Sequence, residues 1–166
     1  MEKKRGALWQ KRLIVYGFVA VLAFFFFSVT RVYEFEQIAN TASVGENIVL
    51  EMRVSDDSRF HSVPVRAGRA TDMERLADIL SRYRYRRHAA MRLFEDDFDS
   101  SPHANIIIKD GDVPLYNILI RGERDMSIAA YRPTGQGSHR RFRIRPSDMD
   151  FAALSALYQS LAPVEQ

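Results

Sequence analysis

The chain changes its hydrophobic rhythm near residue 30. From Leu13 to Thr30, "LIVYGFVAVLAFFFFSVT", eighteen successive positions carry no charge, and apolar side chains fall on every side of a helix. At about 1.5 Å per residue the run is roughly 27 Å long, close to the thickness of a hydrocarbon core. A buried core helix does not need phenylalanine on all faces, as Phe24, Phe25, Phe26 and Phe27 provide. A secretory signal usually has a shorter apolar region and a small-x-small cleavage site, which "SVTRVYEF" does not offer. The pattern predicts an uncleaved transmembrane helix over 13–30. Leu13, Phe18 and Phe24 to Phe27 form its lipid-facing anchor, with Trp9, Tyr16, Tyr33 and Phe35 near the headgroups. The span holds no ionisable residue for a proton relay, and Gly17, Ala20 and Ala23 lack the spacing of a GxxxG seam.

Beyond the span the period shortens. Residues 31–45 place Val32, Phe35, Ile38, Ala39 and Ala42 at helical spacing, predicting an outward extension of the helix as a juxtamembrane linker that Gly45 ends. "ENIVLEMRV" alternates as a half-buried strand, and "FHSVPVR" is a second strand with Pro64 suggesting an edge. Thr71 and Glu74 make a capping-box pattern ahead of Met73, Leu76, Leu80 and Tyr83 on one stripe, predicting a helix that frays near Arg87. Asp78 and Arg82 form an i,i+4 pair on its outer side. "ANIIIK", "VPLYNILIRG", "MSIAAYR" and "RFRIR" are four further strands of a meander. Ser147 then caps a closing helix with Phe151, Leu154, Leu157, Tyr158 and Leu161 inward. The expected architecture is α+β. One N-terminal transmembrane helix precedes a small domain with an antiparallel sheet of about six strands and two helices packed on it, in the order ββαββββα. The expected divisions are a basic tail over 1–12, the span over 13–30, the linker over 31–45 and the folded domain over 46–166.

Charge sets the topology. The whole chain carries 24 basic and 21 acidic side chains, and residues 1–30 hold five of the former (Lys3, Lys4, Arg5, Lys11, Arg12) and one of the latter (Glu2). Residues 31–166 therefore hold nineteen basic and twenty acidic groups, a net of −1. The positive-inside bias then predicts a cytoplasmic N-terminus and a C-terminal domain outside. A near-neutral exterior domain has no global field drawing it to nucleic acid, so no nucleic-acid partner is expected. The chain has no cysteine, which excludes disulfides, thiolate metal sites and a cysteine nucleophile.

Two basic stretches stand out. "RYRYRRHAAMR" contains Arg82, Arg84, Arg86 and Arg87, and "RFRIR" alternates Arg141, Arg143 and Arg145 with Phe142 and Ile144. Together they form a candidate surface for an anionic polymer, a lipid headgroup or an acidic partner; the competing reading pairs them with Glu95, Asp96, Asp97 and Asp99 of the adjacent loop. Asp97, Asp99 and Ser101 resemble the start of an EF-hand loop, but Pro102 stands where glycine is required and Ile108 where the bidentate glutamate belongs. His61, His88, His103 and His139 follow no zinc spacing. Ser138 beside His139 is not a triad, and "GQG" lacks the rest of a nucleotide-binding fingerprint. No catalytic residue, metal or cofactor is expected, and the chain is not read as an enzyme.

The layout of basic tail, single span and small exterior α+β domain resembles the TolR-like energisers of outer-membrane transport, although their intramembrane aspartate has no counterpart in 13–30. From about Glu46 to Tyr158 the chain also resembles uncharacterised membrane-tethered bacterial domains. The likeness is carried by a strand pair, a helix near "MERLADIL", the Asp99–Pro102 step and a closing helix. These resemblances imply a single-pass protein of the bacterial inner membrane with a binding role in the envelope. The expected partners are the bilayer, through 13–30, and an envelope protein served as an accessory or regulatory module. The alternative ligand is a small molecule or an anionic envelope polymer held by the arginine face.

Overall fold

The structure is a computed structural model that describes residues 2–39, 47–56, 63–87, 102–131 and 137–164. It divides into two compact units, Met1–Arg31 and Val32–Gln166. The first is one α-helix, α1 (Glu2–Thr30), whose described side chains are Trp9, Arg12 to Phe27 and Thr30. Apolar groups are exposed all round it: Leu13 54%, Phe18 64%, Phe24 78%, Phe25 63%, Phe26 67% and Phe27 78%. The expected span is corrected in one respect: among the described residues no helix is long and apolar enough to cross a membrane. The unbroken run of described side chains ends at Phe27, and Ser28 and Val29 of the expected eighteen residues lie outside it.

The second unit is α+β, as the alternation implied, but its single antiparallel sheet has nine strands rather than six, in the order β1-β4-β8-β7-β6-β5-β2-β3-β9. The long strands are β2 (Ile48–Ser55), β5 (His103–Asp110), β6 (Val113–Arg121), β7 (Asp125–Ala130) and β8 (Ser138–Arg145). Hairpins join β5 to β6 and β6 to β7, with Gly111 (φ 58°) and Gly122 (φ 56°) in the left-handed region their tight turns require. Three strands beyond the expected six are short, β1 (Val32–Tyr33), β4 (Arg84–Arg87) and β9 (Ala162–Pro163), and the strand expected in "FHSVPVR" is displaced to β3 (Arg66–Gly68), with residues 60–62 outside the described ones. Two- and three-residue strands carry too little alternation to register in a sequence pattern.

Four expectations fail for local reasons. Residues 31–39 do not continue α1; β1 is followed by the single turn α2 (Phe35–Ile38), and the rest of the expected linker, 40–45, lies outside the described residues. The helix expected to reach Arg87 is α3 (Ala70–Ser81), and the chain turns at Arg82–Tyr83 into β4. Tyr85 is buried on β4, and its hydroxyl donates to the Leu80 carbonyl at 2.7 Å, which occupies a group at the helix end. The start of α3 is closed by the Arg69 N–H bonding Asp72 at 3.0 Å, not by Thr71. The closing helix α4 (Phe151–Ser160) is capped by Asp150, which accepts from the Ala153 N–H at 3.0 Å, rather than by Ser147.

One face of the sheet makes the core. Leu50, Met52, Ile106, Ile108, Ile118, Ile120, Met126, Ile128, Phe142 and Ile144 meet Met73, Leu76 and Leu80 of α3 and Leu154 and Leu157 of α4. Each such side chain contributes about 1.5–3 kcal/mol by leaving water. At the β4 end the filling is aromatic: Tyr85 lies 6.2 Å from Phe35 and 6.5 Å from Phe142, and Phe142 lies 5.8 Å from Tyr33. At the other end Arg66 donates to the Gln159 carbonyl at 2.8 Å and lies over the Tyr158 ring, tying β3 to the end of α4.

Burial, with a lesser contribution from Tyr83, raises the Tyr85 hydroxyl above its ordinary 10.0, so the fold favours the neutral phenol. That contribution is complete below pH 10 and lost as pH rises past it, because only the unfolded chain then ionises freely. Tyr85→Phe is expected to cost about 1 kcal/mol at neutral pH through its missing hydrogen bond. The same substitution should reduce the further loss at about pH 11, as urea unfolding at the two values measures; an equal alkaline loss in both proteins would contradict this.

Candidate functional site

Strand β4 pairs with β8 in a register that sets Arg84 opposite Arg145 and Arg86 opposite Arg143. Because side chains alternate along a strand, the same register buries Tyr85 opposite Ile144 on the core side. Arg141 continues the outer row of β8. Of the seven arginines singled out in the sequence, Arg84, Arg86, Arg141, Arg143 and Arg145 thus share one face. Arg82 lies at the end of α3, and Arg87 has the opposite parity, across from Phe142.

The pairing continues across the sheet. One outer row runs Val32, Arg86, Arg143, Asp125, Arg121, His103, Ser55, and the next runs Arg141, Ser127, Leu119, Asn105, Arg53. Between them on β6, β7 and β8 is a cleft of about 120 Å³ lined by Leu119, Arg121, Asp125, Ser127, His139 and Arg141, with Met126 and Phe142 behind. Asp125 stands between two arginines, Arg143 and Arg121. Glu34 bridges Arg84 at 3.1 Å, with both side chains about half exposed. Among the described residues Arg141, Arg143 and Arg145 form no ion pair. The expected acidic counter-charges Glu95, Asp96, Asp97 and Asp99 lie outside the described residues, as do His61 and His88.

Like charges directly opposite on a sheet face repel, whereas an arginine fork suits phosphate or carboxylate oxygens. The face is poorly built for stacking bases, since the tyrosines of "RYRYRR" are turned inward: Tyr85 is fully buried, and the Tyr83 hydroxyl accepts from the Asp150 N–H at 2.8 Å. Ser138 and His139 are neighbours on a strand and point to opposite faces, so they cannot act as nucleophile and base together. Among the described residues no cluster of three metal-ligating side chains occurs.

Arg121, Asp125, Ser127 and His139 were not anticipated as one group. Each lies on a strand recognised in the sequence, yet their meeting depends on strand order and register, which alternation within one strand does not contain. No protein-family model matches the chain, and no curated protein or solved structure matches it.

Asp125→Asn removes the carboxylate between Arg143 and Arg121. It is expected to destabilise the domain by about 0.5–1 kcal/mol in urea unfolding and to tighten its hold on inorganic polyphosphate. A variant as stable as the parent with unchanged affinity would show that Asp125 does not temper this face.

Proposed function

We propose that the chain is a single-pass membrane protein whose domain outside the cytoplasm binds an anionic ligand through Arg84, Arg86, Arg141, Arg143 and Arg145. The row Arg141, Arg143 and Arg145 on the outer side of β8, which forms no ion pair among the described residues, carries the binding reading. A row of guanidinium groups contributes binding when phosphate or carboxylate oxygens bridge it. The cleft beside Arg141, lined also by Ser127 and His139, suits one terminal anionic group of a polymer or a small molecule. The accessory, protein-binding role expected from the layout has no comparable geometric support among the described residues.

Support for anchoring is the exposure of Phe24, Phe25, Phe26 and Phe27 together with the absence of charge over residues 13–30 of α1. Water-soluble proteins rarely leave so much contiguous apolar surface uncovered, and a bilayer covers it. The five basic residues before Leu13 orient the helix with its start in the cytoplasm.

Replacing all five face arginines with glutamine is expected to lower retention on immobilised polyphosphate by at least ~100-fold, and salt should weaken the parent steeply. The circular-dichroism spectrum should remain that of a folded domain. Equal retention of parent and variant would remove the anion-binding reading. A periplasm-dependent reporter fused after Gln166 should be active; activity confined to the cell interior would reverse the orientation.

A further inference from the structure

We infer that the cleft on the outer face of β6, β7 and β8 is a site for orthophosphate, an inference that rests on the anion-binding reading and narrows its ligand. The strand register explains why a cleft forms there. Ser127 and Ala129 are small outer side chains of β7, and larger ones stand on both flanking strands. Ser127 lies opposite Arg141 on β8 and Leu119 on β6, and Ala129 lies opposite His139. Arg121 and His139 stand diagonal to Ser127, at about 7–8 Å between backbones, a distance that long side chains cover. The space is about 120 Å³, roughly the share of four water molecules, so it holds one tetrahedral oxyanion rather than a stretch of polymer. All of these residues belong to the second unit, and the site needs nothing from α1.

The polar groups around this space are of two kinds. Arg141 and Ser127 supply donors, a charged fork and a hydroxyl, with exposed His139 beside them. Arg141 forms no ion pair among the described residues. Asp125 is different, an acceptor in an otherwise cationic cleft. It is already engaged within the fold, yet an ionised carboxylate has about four acceptor positions, so one engagement does not exhaust it. A carboxylate beside a bound oxyanion repels it unless the oxyanion carries a proton to donate. Sulfate has no such proton near neutrality, whereas orthophosphate keeps a P–OH group. Its bare oxygens suit Arg141 and Ser127, and its hydroxyl suits Asp125. Charge alone does not distinguish the two oxyanions, but one acceptor left facing an unprotonated oxygen does.

Isothermal titration of the full chain in uncharged detergent, at about pH 8 and constant ionic strength, tests this. Orthophosphate and sulfate are both chiefly dianions there and differ in one hydroxyl. Orthophosphate is expected to bind at least ~10-fold more tightly than sulfate. Methyl phosphate, which loses its last proton near about pH 6, should rank with sulfate. Asp125→Asn should bring the three affinities within about threefold of one another by strengthening sulfate, since an amide donates as well as accepts. Arg141→Gln should weaken all three. Far-UV circular dichroism checks that each variant is folded, and if Asp125→Asn is not, the ranking in the parent alone decides. Equal binding of orthophosphate and sulfate by the parent, or a preference that survives in folded Asp125→Asn, would overturn the inference. Retention on immobilised polyphosphate separates the two claims. If retention depends on the arginines while the small oxyanions bind alike or not at all, anion binding stands and the orthophosphate assignment falls. If neither probe depends on the arginines, both fall.

Discussion

Arginine opposite arginine is the constraint around which this domain is arranged. The β4–β8 register sets Arg84 against Arg145 and Arg86 against Arg143, a like-charge arrangement that the Glu34 carboxylate offsets at Arg84. It persists because the reverse face of the same two strands buries Tyr85, Phe142 and Ile144. A slip of one residue would relieve the repulsion only by sending those side chains into water and the arginines into the core. Hydrophobic burial at about 1.5–3 kcal/mol per side chain outweighs cross-strand repulsion of about 0.2–1 kcal/mol per pair. The basic face is thus held in place by the core.

Much of this organisation was legible in the amino-acid order, and the remainder was hidden for identifiable causes. Alternation in "ENIVLEMRV" and "RFRIR" and the short apolar run "ANIIIK" between turn signals announced β2, β8 and β5, and an α+β domain with an antiparallel sheet followed from them. The "RYRYRR" stretch was harder. Leu80 and Tyr83 extend the helical stripe of α3, while Tyr83 and Tyr85 also fit a period of two. Tertiary packing decided between them, since Tyr85 fills the space beside Phe35 and Phe142. The arginines were visible as candidates from either period, but their face-to-face arrangement was not. It needs the long-range pairing of residue 84 with residue 145, and no local pattern contains that.

The two units divide charge and apolarity differently. The first 31 residues combine a basic start with exposed phenylalanines, and the second unit buries its apolar face and concentrates positive charge on one patch of a nearly neutral whole. A local patch of this kind acts within a Debye length of about 10 Å and has little influence farther away. Short-range electrostatics of that type select among charged groups already close by.

The central claim is that the outer arginines are strained when bare and relieved by an anion, and thermal unfolding of the full chain at low salt tests it most directly. With Arg143 and Arg145 both changed to glutamine, the midpoint should rise by about 2–4 °C, and polyphosphate should raise the midpoint of the parent but not of the variant. A variant that melts lower than the parent, together with a parent indifferent to polyphosphate, would contradict the account.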